Sequence, residues 1–171
     1  MEGQPYDLKR LSISAAELDQ AAFAERYPDP VFWIQACEGE GSKFFTSDGS
    51  DVFELKTTVA PVAKRDGAND FGLMVTIGRA ATNDIVLGVA DVSKFHAYVM
   101  LRRASGVQLA DAGSSMGTRV DGHPLEARKP YLLKPGSLVE MGSAQLTFLD
   151  SAGLYRQLHD HGGDEDSDAT W

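Results

Sequence analysis

The chain has 171 residues, 43% of them apolar and 24% charged, which is room for one domain with appendages or two very small ones. Its formal net charge of −9, from 25 acidic and 16 basic side chains, argues against a protein that coats nucleic acid or binds an anionic membrane, because both need basic surface. A single cysteine, Cys37, excludes an internal disulfide and leaves a cysteine-based zinc site short of ligands.

The sequence opens Met1-Glu2-Gly3-Gln4-Pro5, with neither the basic n-region nor the apolar stretch of a signal peptide, and Glu2 stands where myristoylation needs glycine. No apolar run approaches the roughly 18 residues of a membrane span. These features predict a soluble protein of the reducing cytoplasm.

In chain order, the first predicted element is a short amphipathic helix over residues 11–27. Ser14 is its expected N-cap, Glu17 completes a capping box, and Ile13 staples onto Leu18. Tyr27-Pro28-Asp29-Pro30 stops it. Val31-Phe32-Trp33-Ile34 reads either as a buried strand or as an apolar docking segment. Residues 38–51, with three glycines and few apolar side chains, read as an acidic linker.

From Val52 to Asp150 the texture is β throughout. Phe71, Leu73, Val75 and Ile77 alternate with Gly72, Met74 and Thr76, the period-two pattern of a half-buried strand. Further strands are predicted at 53–59, 84–87, 97–103, 106–111, 117–120, 131–133, 138–141 and 144–149. Ser105-Gly106, Asp121-Gly122 and Pro135-Gly136 mark turns between them. Short strands at this spacing, with no helical period, predict an all-β sandwich. Residues 151–171 read as a disordered acidic tail. The predicted organisation is therefore an N-terminal extension with one helix (1–51), a β-sandwich (52–150) and a tail (151–171). Residues 1–51 carry a net −6 and residues 151–171 a net −4, which leaves +1 for residues 52–150. The acid lies on the arms.

Three constellations bear on chemistry. Gly113-Ser114-Ser115-Met116-Gly117 fits the G-x-S-x-G pattern of a hydrolase nucleophile elbow, which must stand between a strand and a helix. Here Thr118-Arg119-Val120-Asp121-Gly122 follows and reads as strand and turn, so no catalytic residue is expected. His159-Asp160-His161 is a conceivable metal ligand pair, but it lacks the surroundings that orient real ligands, and no metal is predicted. The third constellation spans about forty residues: Ile77-Gly78-Arg79, Asn83-Asp84-Ile85-Val86-Leu87, Val92-Ser93-Lys94-Phe95-His96-Ala97, and Asp111 to Thr118. Arg79 offers a fixed fork of donors, Ser93 and Ser115 offer hydroxyls, and Lys94 adds a compact charge. Gathered at one end of a sandwich they would make a phosphate-sized pocket. Scattered, they are surface cations and turn serines, and spacing alone leaves both readings open.

These segments, in this order, resemble the forkhead-associated (FHA) domain, a phosphothreonine-binding module. The resemblance runs over residues 53–150 and includes Gly117-Thr118 and Val120-Asp121-Gly122. It implies a β-sandwich of about eleven strands with the ligand held by loops at one end. Arg79, Ser93 and Ser115 would contact phosphate, and Lys94 would support it or grip the peptide main chain. Gly78, His96, Gly117 and Thr118 would shape the loops, and Asp91 would sit on the rim that reads the residue three positions after the phosphothreonine. One departure stands out. The family usually has asparagine before the glycine at position 117, where this chain has Met116, which cannot donate a hydrogen bond.

The function implied is non-catalytic recognition of a phosphothreonine-containing protein, such as a Ser/Thr kinase or its substrate, without a cofactor. The alternative is a degenerate scaffold of the same fold that associates with proteins, or with itself, independently of phosphate.

Overall fold

The computed structural model describes residues 3–36, 43–45, 51–53, 56–102 and 105–162. In chain order the elements are α1 (Leu8–Glu17), α2 (Gln20–Arg26), β1 (Val31–Ala36), β2 (Lys43–Phe45), β3 (Asp51–Phe53), β4 (Lys56–Pro61), β5 (Met74–Gly78), β6 (Ile85–Val86), β7 (Ala97–Arg102), β8 (Gly106–Asp111), β9 (Thr118–Val120), β10 (His123–Pro124), β11 (Tyr131–Leu132), β12 (Leu138–Met141), β13 (Ala144–Leu149) and α3 (Ser151–Gly162).

Eleven of these strands make a sandwich. One sheet has the order β10-β9-β12-β13-β1-β4 and the other β11-β8-β7-β5-β6, while β2 and β3 pair only with each other. All pairings are antiparallel except β5 with β6, which is parallel. Between the sheets lies the main core, with Phe32, Ile77, Val99, Leu109, Met141 and Leu146 among its members. The predicted alternation is what fills it: Val75 and Ile77 are buried on β5. The strand begins only at Met74, however, and Phe71 and Leu73 are exposed.

A second apolar cluster covers the outer face of the six-stranded sheet. Leu11 and Ala15 from α1, Phe23 from α2, and Leu154 and Leu158 from α3 pack on Val31, Trp33, Val59 and Leu149. This arrangement explains the unbroken apolar run at residues 31–34. On β1, Phe32 and Ile34 face the other sheet while Val31 and Trp33 face the helices, so the strand is buried on both sides. Of the two readings of this segment, the buried strand is the one realised, and it lies between β13 and β4 within the sheet.

The structure corrects the helical predictions at both ends. The N-terminal helical segment is present but divided in two. Asp7 and Asp19 are the N-caps, their carboxylates accepting from the backbone N–H groups of Arg10 and Ala22, both at 2.8 Å. Leu18 between the helices is extended. Ser14 is not a cap. It is buried in α1 with its hydroxyl 3.1 Å from that of Tyr27, and Ile13 is exposed rather than stapled. At the other end, residues 151–162 form α3 instead of a disordered tail. Asp150 accepts from the Gly153 N–H at 2.7 Å, and Leu154 and Leu158, one turn apart, face the sheet. Residues 163–171, the most acidic part of that predicted tail, and most of the predicted 38–51 linker lie outside the described residues. No helix among the described residues is long and apolar enough to cross a membrane.

Candidate functional site

Three loops meet at one end of the sandwich: 79–84 after β5, 87–96 before β7, and 112–117 between β8 and β9. Backbone groups lace the first two together. The N–H of Arg79 donates to the Ser93 carbonyl at 3.0 Å and that of Ala80 to the Lys94 carbonyl at 3.1 Å. The Asn83 side-chain amide also donates to Lys94 O, at 2.6 Å. Such approach requires glycine at position 78, because a Cβ there would lie 2.4 Å from the Lys94 carbonyl oxygen.

The third loop is tied in through Ser93 and His96. The Ser115 N–H donates to Ser93 Oγ at 3.1 Å. His96 is fully buried; its Nδ1 accepts from the Ser93 N–H at 3.1 Å, and its Nε2 lies 2.9 Å from the Gly117 carbonyl. A backbone N–H only donates and a carbonyl only accepts, so the ring carries its proton on Nε2. Gly117 itself has φ +75°, a conformation that favours glycine.

Beneath this loop sits Asp111. Its carboxylate accepts from the hydroxyls of Ser114 (2.6 Å) and Thr118 (2.7 Å) and from the N–H groups of Gly113 (2.8 Å) and Ser114 (2.9 Å). Burial pushes its carboxyl pKa up, but those donors outweigh burial and hold it below the usual range. Asp84 does the same for the first loop. Burial is again opposed, here by Lys64 at 2.7 Å, the N–H groups of Thr76 and Arg65 at 2.8 Å each, and Asn69, and the net shift is downward.

What this scaffold presents is cationic. The Arg79 Nε–H donates to the Val92 carbonyl at 3.1 Å, which orients the guanidinium. Among the described residues, its two terminal amino groups and the Lys94 ammonium have no hydrogen-bond partner. Both residues are exposed at the rim. Ser93 and Ser115 lie between the loops, and Met116 is 65% exposed beside them. Thus Gly78, Arg79, Ser93, Lys94, His96, Ser115, Met116, Gly117 and Thr118 are gathered at one end. Asp91 is exposed too, with its carboxylate accepting from the Ser143 hydroxyl at 3.1 Å on the β12–β13 turn.

Sequence reasoning did not single out Asn83, Asp111 or Ser114 as loop-holding residues. Asp111-x-Gly113-Ser114 carried the signal, since aspartate bonds its own backbone two and three residues on. Arg128 was also missed. Its guanidinium comes within 3.7 Å of where a Gly113 Cβ would stand, which no local pattern announces.

The other two constellations stand in different surroundings. Gly113–Gly117 lies between two strands, β8 and β9, so the helix that a nucleophile elbow requires does not follow it. The His96 nitrogens are both engaged and give Ser115 no base. In α3, His159 Nδ1 lies 2.9 Å from the Tyr155 carbonyl, and the His161 ring stacks on Trp33 at 5.0 Å.

Comparison with known proteins places a family on this segment. The FHA domain family model matches residues 75–142. No curated protein matches the chain at a significant level. Among solved structures, the chain is similar to the FHA domain of the CT664 protein from Chlamydia trachomatis, at 20% identity over 71% of this chain and 97% of that one, with a TM-score of 0.47. It is also similar to the N-terminal FHA domain of Rad53p from S. cerevisiae in complex with a phosphothreonine peptide, at 21% identity over 52% and 78% of the two chains, TM-score 0.43. A third is Mycobacterium tuberculosis EmbR in complex with a low-affinity phosphopeptide, at 18% identity over 86% and 32%, TM-score 0.44.

Proposed function

Because the chain carries an FHA domain over residues 75–142, we propose that it binds phosphothreonine peptides of a partner protein, downstream of a Ser/Thr kinase, and does so without catalysis. The observation that carries this reading is the pair of exposed cations, Arg79 and Lys94, whose terminal amino groups and ammonium have no hydrogen-bond partner among the described residues, on loops held rigid by Asn83, His96 and Asp111. A phosphothreonine brings about −1.5 to −2 charges and three acceptor oxygens at neutral pH. Arg79 supplies forked donors already aimed by Val92, Lys94 supplies a point charge, and the hydroxyls of Ser93 and Ser115 complete the set. Rigid loops reduce the ordering cost of binding.

Titration of a phosphothreonine peptide and its unphosphorylated twin tests the reading. Wild type should bind the phosphopeptide at about micromolar Kd, and Arg79→Ala should weaken it about ten- to a hundredfold, since a charged hydrogen bond is worth about 1.5–3 kcal/mol. Equal binding of both peptides, or by both proteins, would sink it and favour phosphate-independent association instead. Asp91 is assigned to the rim. The same titration should show lysine three positions after the phosphothreonine outbinding aspartate, because like charges repel.

A further inference from the structure

Immediately beside the proposed phosphate loops lies a cavity of about 230 Å³ that Arg79, Ser93 and Ser115 do not line. Its walls are Phe71 and Phe95, with Ala80, Thr82 and Lys94 along the sides. The two phenylalanine rings are nearly parallel, at 8° with centroids 6.2 Å apart, and Phe95 continues into Tyr98 on the open face of β7, also at 6.2 Å. Phe71 is 51% and Phe95 42% exposed. Large aromatic side chains left this open beside a polar site mark a contact surface rather than a core.

The cavity is joined to the phosphate site by the chain itself. Ala80 follows Arg79 and Lys94 follows Ser93, and adjacent Cα atoms are about 3.8 Å apart. The hydrogen bond from Ala80 N–H to Lys94 O closes the seam between the two walls. An extended peptide advances about 3.3–3.6 Å per residue, so a ligand whose phosphate rests on Arg79 and Ser93 carries its nearby side chains past this opening.

We infer that the Phe71–Phe95 cavity is a second specificity site, which takes an aliphatic or aromatic side chain from the same phosphopeptide within a few residues of the phosphothreonine. This rests on the phosphopeptide reading above and narrows its ligand class. The Lys94 ammonium at the edge disfavours a cationic side chain there, and a carboxylate has only that edge ammonium to pair with while losing its hydration against the rings. An apolar side chain leaves no polar group unsatisfied and removes apolar surface from water on both partners.

Positional scanning of phosphothreonine peptides, with leucine, phenylalanine, glycine, lysine and aspartate at each flanking position, tests the inference. Wild type should favour leucine or phenylalanine over glycine by about tenfold at one position near the phosphothreonine. Phe95→Ser should lower binding of that apolar peptide to the level of the glycine peptide, and Phe71→Ser should do so in part. Both positions are exposed, so an unchanged melting temperature will certify folding. Arg79→Ala, by contrast, should weaken every peptide together. A flat flanking profile, or a preference that survives Phe95→Ser, overturns the cavity while leaving the phosphate site standing. Binding that ignores phosphate overturns both.

Discussion

Met116 occupies the loop position where the resemblance calls for asparagine, and its thioether stands 65% exposed with nothing to donate. Met116→Asn should therefore tighten a phosphothreonine peptide about three- to tenfold, by one or two neutral hydrogen bonds of about 0.5–1.5 kcal/mol each, as calorimetry can read. Asp111 acts at the same scale by holding the loop. Its pKa lies below the 3.8 of an ordinary aspartate, so its contribution to stability is fully present above that pH and is lost as pH falls toward the folded value. Asp84 contributes in the same direction. Denaturation midpoints followed from pH 6 to pH 2 should drop for wild type below about pH 4. Asp111→Asn should cost on the order of 2 kcal/mol at neutral pH and flatten that acid limb.

At the scale of elements, α3 shows what the sequence could and could not disclose. Leu154 is fully buried against the outer face of the six-stranded sheet, so Leu154→Ala should cost about 2–5 kcal/mol and lower the melting temperature by roughly 10 °C. The helix was hidden by its company: two glycines and an acidic stretch border it, while the Asp150 cap and the Leu154–Leu158 spacing are short signals. The strands of the sandwich were far more legible, because alternation on β5 and turn signals such as Asp121-Gly122 are local properties. Both of those turn residues have positive φ, 50° and 82°, as a tight hairpin between β9 and β10 requires. The residue types of the site were legible as well, but their convergence was not. The Ser115 N–H to Ser93 Oγ bond joins positions 22 apart, and the cavity between Phe71 and Phe95 needs residues 24 apart. No window of sequence reports such a meeting.

At the scale of the whole molecule, the family match and the folding unit have different limits. Residues 75–142 contain the loops that carry Arg79, Ser93 and Lys94 but omit β1, β4 and β13, half of the six-stranded sheet, together with all three helices. Excised, that segment would expose β12 along one edge and leave Met141 and Val139 without Phe32, Ile34 and Leu146 beside them on the inner face of the same sheet. It should show no cooperative thermal transition, whereas residues 3–162 should melt as one. The charge distribution follows the same division. A nearly neutral sandwich carries cations at one end while the flanking sequence holds the acid, so phosphopeptide affinity should fall with added salt in keeping with a site on the surface.

The place of β1 between β4 and β13 also sets a timetable. Val31 pairs with Leu149, and Gln35 with Gln145, across more than a hundred residues. Contacts that distant make closure of the sheet a late and slow step in folding. On the ribosome, a strand apolar on both faces must wait for about a hundred further residues to be synthesised before its second partner, β13, arrives. Until then Phe32 and Trp33 have a strand neighbour, β4, on one side only and lack cover from α3. A stretch buried on both faces in the finished protein is thus one long in need of protection during its birth.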